Sequence, residues 1–313
     1  MLTAAPHSWV IFFTLGRVSN LPTVWTNVLA ASLFTSVMLG QQVPFLNLVF
    51  LSRWLLVLIG ISLMYLGGMF LNDAVDAQWD KAHQVVRPIT QEWISQRSVY
   101  LFSYFLLLSG IVLLTFAGWY HLGNFAGGYA GLSLFLLILF YNLFHKTWVY
   151  SRVLMGGCRA GVYLTTGLLM GGLSIDLIYA SLCLGMYIVG ITLLAQFEHY
   201  SGRKSVKSSL LFIASLLLLS PCYLVFFMST NLILYLLLSG FVVILFRQFN
   251  SVIQSVFLYK TRLIQPSNIG ALLATIPLFD AIVLASVQQF GACVVCLCVY
   301  ACLPKLQQWI SPT

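Results

Sequence analysis

The feature that this sequence lacks most is charge. Lysine, arginine, aspartate and glutamate together make up 7% of its 313 residues, and only seven residues are acidic. No stretch between apolar segments is long enough to form a separate soluble domain. A content of 60% hydrophobic residues and a mean hydropathy of +0.96 are typical of a protein that crosses the membrane many times. The basic residues give a net charge of +8, but they fall in short connections and therefore indicate membrane orientation, with no nucleic acid as a partner.

Two other features are missing. The N-terminal apolar segment has no basic region before it and no small-residue cleavage site, so it does not match a cleavable signal peptide. The seven cysteines cannot form a complete disulfide framework, because their number is odd. Four of them cluster in the last apolar segment without a histidine or an acid nearby, so we interpret them as packing or lipid-facing residues and not as a metal site: Cys293, Cys296, Cys298 and Cys302.

Apolar stretches of spanning length define the predicted architecture. They are expected at 18–40, 48–72, 99–118, 122–142, 152–173, 176–197, 208–229 and 231–249. The remaining stretch, 268–303, is too long for one ordinary span and is expected to hold one full helix and a shorter one. The sequence therefore predicts an all-α polytopic membrane helix bundle, with nine core transmembrane helices and a possible tenth, that forms a single domain over residues 1–313.

The connections and a weak internal repeat refine this picture. Basic residues fall at alternate connections, so the positive-inside rule places these connections and the N-terminus in the cytoplasm. Residues 64–68 and 186–190 both begin with Met-Tyr and end with glycine, and the offset between them also relates Asp76 to Glu198. This repeat predicts two pseudo-repeated four-helix halves around a central cavity, each with an acid at one helix end, so that the two acids lie opposite each other across the cavity.

Three of the seven acids lie in one short run that ends the second apolar segment. Asp73, Asp76 and Asp80 are spaced by three and four residues, which puts them on one helical face over about 10 Å. Carboxylates about 6 Å apart repel by about 3 kcal/mol at an effective dielectric constant of about 20, and each carboxylate at mid-bilayer would cost about 2.5–3.5 kcal/mol. Mg²⁺ that bridges to a substrate phosphate would offset this cost. The alternative is a solvated helix end with three unrelated acids.

This run is also where the chain resembles a known family. Asn72, Asp73, Asp76 and Asp80 meet in full the N-D-x-x-D-x-x-x-D motif of the UbiA superfamily of intramembrane prenyltransferases. Supporting matches, which extend the resemblance over about two-thirds of the chain, are Leu15-Gly16-Arg17, Ser19-Asn20-Leu21-Pro22-Thr23, Arg87-Pro88-Ile89, Tyr141-Asn142, His145-Lys146 and Gly157-Cys158-Arg159-Ala160. The pattern from Thr192 to Glu198 resembles the divergent EboC-like branch of that superfamily.

The resemblance implies an enzyme that uses Mg²⁺ to transfer an isoprenyl group from a prenyl diphosphate to a small aromatic or lipid-like acceptor within the membrane. It implies catalytic and metal-binding roles for Asp73, Asp76, Asp80 and Glu198. It implies substrate-binding roles for Asn72, Arg17, Arg87, Lys146 and Arg159. It also implies contact with membrane lipid and a multi-pass location in the bacterial inner membrane, with the active-site loops facing the cytoplasm.

Several residues keep alternative interpretations. Arg87 and Lys146 could bind diphosphate oxygens, or they could serve orientation and headgroup contact. Arg159 lies inside the fifth apolar segment, where a carboxylate or phosphate is its expected partner, and a snorkelling or structural arginine is the alternative. His83 and His199 are either ligands or ordinary loop histidines. Asp280 is expected to make a buried polar contact.

The sequence departs from the family pattern after the sixth segment. A second motif with several aspartates is expected there, but Glu198 is its sole acid, and a single carboxylate holds a second hard cation poorly. The competing hypothesis is therefore a non-catalytic prenyl-lipid binding or transport protein that retains the fold. A CDP-alcohol phosphotransferase is disfavoured, because its D-G…A-R…G…D…D pattern has no match around the aspartates.

Overall fold

The chain folds into a bundle of α-helices, and no β-strand occurs in the residues that the structure describes. The computed structural model describes residues 7–40, 47–146, 148, 150–195, 213, 216–217, 219–222, 231–257 and 266–310. The principal helices are α1 (Ser8–Leu15), α2 (Leu21–Met38), α3 (Leu48–Ala82), α4 (Gln96–Leu122), α5 (Ala126–Phe144), α6 (Ser151–Met170), α7 (Ile175–Ala195), α8 (Leu232–Phe257), α9 (Pro266–Ala274), α10 (Ile276–Ser286) and α11 (Phe290–Trp309). A 3-10 turn, Val18–Asn20, joins α1 to α2.

Nine helical stretches in the described part of the chain are long and apolar enough to cross a membrane, which confirms the predicted all-α polytopic bundle. The stretch 268–303 differs in detail from the expected full helix and shorter helix, because both of its spans are of full length, Asn268–Ser286 and Phe290–Trp309. The first is made of α9 and α10, which meet at Thr275, and Pro277 lies in the first turn of α10. Most of the predicted segment 208–229 lies outside the described residues.

The outer and inner helices have different surfaces. On α4, an exposed apolar stripe recurs every three or four residues: Leu101, Phe105, Leu108 and Val112. By contrast, every residue of α10 is buried, including its one acid, Asp280. Helix α10 packs against α2, α8 and α11. Exposed apolar stripes are what lipid contact requires, whereas α10 forms the centre of the C-terminal part of the bundle.

Helix α3 is long enough to carry the aspartates out of the apolar layer. Its 35 residues correspond to about 52 Å, whereas the hydrocarbon core of a bilayer is about 30 Å thick. The predicted apolar segment ended at residue 72, but the helix continues without a break to Ala82. The aspartates therefore extend the spanning helix toward the membrane interface, where their charge costs less than at mid-bilayer.

Small residues bring the site-bearing helices close together. A Cβ atom added to Gly67 on α3 would lie 2.8 Å from Leu107 of α4, and Ser103 of α4 donates a hydrogen bond to the Gly67 carbonyl at 2.8 Å. A Cβ atom added to Gly156 on α6 would lie 2.5 Å from the Gly185 carbonyl oxygen of α7. Glycine at these positions lets the backbones approach, as is common between membrane helices.

All seven cysteines lie among the described residues, and none of them forms a disulfide. Cys293 and Cys296 are buried in the core beside α10, whereas Cys298 and Cys302 are exposed on α11. This distribution agrees with the interpretation of these four residues as packing and lipid-facing side chains.

Candidate functional site

The motif aspartates share one buried face of α3, as their spacing predicted. Asp73, Asp76 and Asp80 are 4%, 6% and 2% exposed. Asn72, next to them, donates a hydrogen bond at 3.0 Å to the side-chain oxygen of Asn142 on α5. Buried carboxylates are costly unless they are paired. The basic side chains that surround them, together with the three acids, form what we call the aspartate centre: Asp73, Asp76, Asp80, Arg17, Arg87, His145 and Lys146.

Two arginines form ion pairs with the first and last acids of the motif. Arg17 donates through Nη2 to Asp73 Oδ1 at 3.3 Å and to Asn72 Oδ1 at 3.2 Å. Arg87 donates through Nη1 to the same Asp73 oxygen, and its Nε lies 3.2 Å from Asp80 Oδ2. Burial is the largest single influence and opposes the charged form of Arg17, but the combined attraction of Asp73 and other nearby groups outweighs it and raises the pKa of Arg17 above its ordinary value.

Local backbone structure explains how these arginines reach the acids. Arg17 adopts the left-handed conformation, with φ 43° and ψ 49°, where α1 gives way to the 3-10 turn. This conformation costs about 1–2 kcal/mol for a residue with a side chain, and Tyr65 stabilises it by donating to the Arg17 carbonyl at 3.2 Å. The backbone N–H of Arg87 donates to Thr90 Oγ1 at 2.9 Å, which closes a tight turn after α3.

Lys146 and His145 pair with the middle acid of the motif. Lys146 Nζ lies 2.7 Å from Asp76 Oδ1 and 4.0 Å from the centre of the Trp79 ring, which gives it a cation–π contact. His145 Nε2 lies 3.0 Å from the same carboxylate oxygen, and its Nδ1 lies 3.0 Å from the Asn142 carbonyl oxygen. Sequence reasoning did not assign His145 to the site, although its position next to Lys146 in a matched motif was the signal for it.

The donor set at the aspartate centre suits Mg²⁺. Asp76 Oδ1 and Asp80 Oδ2 are buried, yet neither accepts a hydrogen bond of good geometry from the described residues, although cations lie within ion-pair distance. No three acidic, histidine or cysteine side chains in the described ranges converge tightly enough to form a complete metal site. Mg²⁺ does not require such a cage, because it is usually bound by one or two carboxylates with phosphate and water.

A cavity of about 280 Å³ leads from the aspartate centre into the bundle. Arg17 and Arg87 line its polar end, together with Asn142. Most of its wall is apolar and comes from several helices, with Val24, Ile61, Met64, Leu134, Ile188 and Ile269 among the lining residues. A cavity with one charged end and an apolar body suits a ligand that has a charged head and a hydrocarbon tail.

Arg159 lies apart from the aspartate centre, in the wall of the same cavity. It donates through Nη1 to Asn27 Oδ1 and through Nη2 to Thr23 Oγ1, both at 2.9 Å. Its guanidinium lies 5.9 Å from the ring of Tyr65, which precedes Asp73 by eight residues, or about 12 Å along α3. The structure therefore does not bring Arg159 to the aspartates.

The polar contacts of Arg159 continue to α10. Asn27 Nδ2 lies 2.9 Å from both carboxylate oxygens of Asp280, and the Tyr163 hydroxyl donates to Asp280 Oδ1 at 2.5 Å. A carboxylate was expected as the partner of Arg159, and the carboxylate of Asp280 is linked to it through the Asn27 amide. Asp280 thereby makes the buried polar contact that was expected for it. We call this group the Arg159 centre: Arg159, Thr23, Asn27, Tyr163 and Asp280. The sequence signal for Asp280 was an acid inside an apolar span.

The remaining candidates lie elsewhere. His83 directly follows α3, and its ring stacks on Trp79 with 3.8 Å between the ring centres, which agrees with an ordinary histidine at a helix end. Glu198 and His199 lie outside the described residues. A ligand role for Glu198, its position opposite Asp76, and the resemblance to the EboC-like branch therefore stay predictions.

Comparison with known proteins adds an independent result. A family model for the UbiA prenyltransferase family matches residues 28–200. Comparison with curated proteins gives no significant match. Two solved structures share the fold. Digeranylgeranylglyceryl phosphate synthase is 19% identical, over 91% of this chain and 98% of that chain, with a TM-score of 0.59. A UbiA homolog from Archaeoglobus fulgidus, bound to DMAPP and Mg²⁺, is 13% identical, over 91% of this chain and 99% of that chain, with a TM-score of 0.54.

These findings differ in what they establish. At identities below 20%, the two structures show a common fold and do not transfer an activity. The family match covers more than half of the 313 residues and includes the aspartate run and Arg159. The chain therefore belongs to the UbiA prenyltransferase family and is an integral multi-pass membrane protein.

Proposed function

We propose that this protein is an intramembrane prenyltransferase that moves an isoprenyl group from a prenyl diphosphate to a small acceptor. The observation that carries this proposal is the position of the aspartate centre at the polar end of an apolar cavity. The charged end suits a diphosphate, and the apolar body suits its hydrocarbon chain. The structural neighbour bound to DMAPP and Mg²⁺ supports the same assignment by analogy.

The acids are assigned to Mg²⁺. Asp76 and Asp80 offer buried oxygens that accept no hydrogen bond of good geometry from the described residues, and Asp73 completes the acidic face. Glu198 is proposed as a ligand from the opposite half, on the strength of the internal repeat alone. Bound Mg²⁺ would act as a Lewis acid that stabilises the negative charge on the leaving diphosphate.

The basic residues are assigned to the diphosphate. The carbon–oxygen bond of the prenyl diphosphate breaks and its electron pair leaves with the diphosphate, while the acceptor forms a bond to the same carbon and loses a proton. Arg17 and Arg87 line the cavity, and we assign their N–H groups to the leaving oxygens of the diphosphate. We assign Lys146 the same role, with Asn72 held between Arg17 and Asn142 as a positioning residue. The apolar wall would exclude water that could capture the allylic cation.

The proposal includes a location and an orientation. The chain is proposed to act as one domain over residues 1–313 in the bacterial inner membrane, with the aspartate end facing the cytoplasm, because the connections on that side carry the basic residues. Cysteines introduced at positions 83, 205 and 261 should resist a membrane-impermeant thiol reagent applied from the periplasmic side. Labelling at any of the three positions would contradict this orientation.

Product formation tests the activity. Membranes that contain the chain would be incubated with radiolabelled prenyl diphosphates and extracted lipids, with either Mg²⁺ or a chelator. We expect a new labelled product that depends on Mg²⁺ and is lost in the double variant Asp73→Asn, Asp76→Asn. Asp176→Asn is the matched control, because Asp176 lies in the first turn of α7, away from the aspartate centre. Diphosphate binding without any transfer product would favour the prenyl-lipid binding or transport protein.

A further inference from the structure

The Arg159 centre contains two oppositely charged side chains that do not contact each other directly. Arg159 is on α6 and Asp280 is on α10, and Asn27 of α2 lies between them. Asp280 is completely buried and follows the end of the family match by 80 residues. The mechanism proposed above uses neither Asp280 nor its contacts, so the purpose of this second polar centre requires its own explanation.

Hydrogen-bond chemistry determines the orientation of the bridge. An arginine only donates, so Asn27 must turn its oxygen toward Arg159 and its NH₂ group toward Asp280. Asp280 accepts from Asn27 through both of its oxygens and from Tyr163 through one of them. Because all of these contacts are donated to the carboxyl group, they stabilise its ionised form. Asp280 therefore fixes the orientation of the Asn27 side chain, and the oxygen of Asn27 in turn fixes the position of the Arg159 guanidinium.

The charge of Arg159 is already balanced at this position. Asp280 supplies one negative charge on the far side of a single amide, and the surroundings are the apolar interior of the bundle. A carboxylate or phosphate that bound to Arg159 would leave one negative charge uncompensated, which is costly in such a medium. A neutral oxygen, such as a hydroxyl or a carbonyl group, would add no charge and would still accept a hydrogen bond.

Arg159 retains donors for such an oxygen. A guanidinium group has five N–H bonds, and within the described residues Arg159 uses only Nη1 and Nη2, each for one acceptor. Arg159 also contributes to the cavity wall. Arg159 contacts Tyr65, which precedes Asp73 by eight residues, or about 12 Å along α3, so a ligand could bridge the cavity between the two centres.

We propose that the Arg159 centre binds a neutral oxygen of the acceptor substrate, and that Asp280 is a positioning residue that makes this site select neutral acceptors over anionic ones. This inference rests on the proposed prenyl transfer and specifies its acceptor. The acceptor is an extended apolar molecule with a hydroxyl or carbonyl group at the end that lies away from the diphosphate.

A binding experiment without prenyl diphosphate tests this inference separately from the transfer reaction. The full chain in lipid nanodiscs would be dialysed against 2-naphthylmethanol and, separately, 2-naphthoate, two fluorescent probes of similar size that differ in charge. Empty nanodiscs correct for partition into lipid. We expect the wild type to bind the alcohol at least about tenfold more tightly than the carboxylate, as one unfavourable charge would require. Loss of prenyl transfer in the assay above would not alter this ratio.

Variants test the binding role of Arg159 separately from the positioning role of Asp280. Asp280→Asn keeps the shape and leaves Arg159 unbalanced, so the preference for the alcohol should fall at least about tenfold. Arg159→Gln should weaken alcohol binding and abolish the preference. Asp176→Asn, the matched control, should change neither affinity. Wild-type preference for the carboxylate, or no binding of either probe, would overturn the inference. An unchanged ratio in folded Asp280→Asn would overturn the role of Asp280, and if that variant does not fold, the wild type and Arg159→Gln decide the result.

Discussion

The aspartate centre and the Arg159 centre both bury charge inside the bundle, but they balance it in different ways. In the aspartate centre, nitrogens of basic side chains lie 2.7–3.3 Å from carboxylate oxygens with nothing between them. In the Arg159 centre, a neutral amide separates the two charges. Direct pairs can be exchanged for a metal ion and a phosphate, because each cation and each acid gains a new partner. Arg159 and Asp280 already contact the same amide, so a metal ion and a phosphate could not replace their partners in this way.

Two basic side chains of the aspartate centre also differ in exposure from the acid of the Arg159 centre. The Arg87 and Lys146 side chains are 25% and 31% exposed, whereas Asp280 is completely buried. The partly exposed cations come from the ends of helices and from a loop, where they can move toward a ligand. Asp280 lies in a helix that is buried along its whole length. This difference agrees with the proposed function, in which the aspartate centre exchanges charged partners and the Arg159 centre keeps a fixed donor in the cavity wall.

The largest expected effect is on stability at the buried centre. Asp280→Ala removes the acceptor for Asn27 and Tyr163 and leaves the charge of Arg159 unbalanced. We expect a loss of about 3 kcal/mol in the free energy of unfolding, measured by titration with a denaturing detergent and circular dichroism. Asp176→Ala is the control and should change stability by about 0.5 kcal/mol or less. Equal losses in the two variants would show that the bridged pair does not stabilise the fold.

The next effect is on ligand binding at the aspartate centre. Asp76→Asn removes a carboxylate charge without a change in volume, so Mg²⁺-dependent affinity for a prenyl diphosphate should fall about 100-fold, or about 2.7 kcal/mol. Equilibrium binding to the purified variant, with Mg²⁺ and with a chelator, measures this loss. Affinity equal to that of the wild type and of Asp176→Asn would contradict the metal assignment.

A smaller effect compares two buried tyrosines. The Tyr163 hydroxyl donates to the Asp280 carboxylate, whereas the Tyr187 hydroxyl contacts the neutral hydroxyl of Thr275. Hydrogen bonds to charged groups are stronger, so Tyr163→Phe should cost about 2 kcal/mol of unfolding free energy and Tyr187→Phe about 1 kcal/mol. The same detergent titration measures both values. A larger loss for Tyr187→Phe would indicate that Asp280 is not ionised.

The smallest effect tests whether the two halves share one metal network. Glu198→Gln alone should lower prenyl diphosphate affinity about tenfold. Added to Asp76→Asn, it should change affinity little further, because groups in one network do not act independently. Binding measurements on the two single variants and the double variant give the coupling. Additive losses would place the two acids in separate sites, and no loss for Glu198→Gln would favour a single metal site or the non-catalytic alternative.

The sequence predicted the parts of the site whose geometry depends on the spacing of residues along a single helix. Asp73, Asp76 and Asp80 share a face because an α-helix repeats every 3.6 residues, and the same run supported the family resemblance. The apolar segment predicted to end at residue 72 is shorter than the helix, which continues to Ala82, because charged side chains lower hydropathy without ending a helix. Hydropathy reports where a helix can lie in lipid, and hydrogen bonding decides where the helix ends.

By itself, the sequence determined the membrane class, most of the spans, the acidic face of α3 and the family, since each depends on composition or on neighbours along one helix. Only the tertiary structure decided which cations pair with which acids and that Arg159 reaches Asp280 through Asn27. Arg17 and Asp73 are 56 residues apart, and Asn27 and Asp280 are 253 residues apart. No local period relates such positions, and their contact depends on how α2, α3, α6 and α10 pack together.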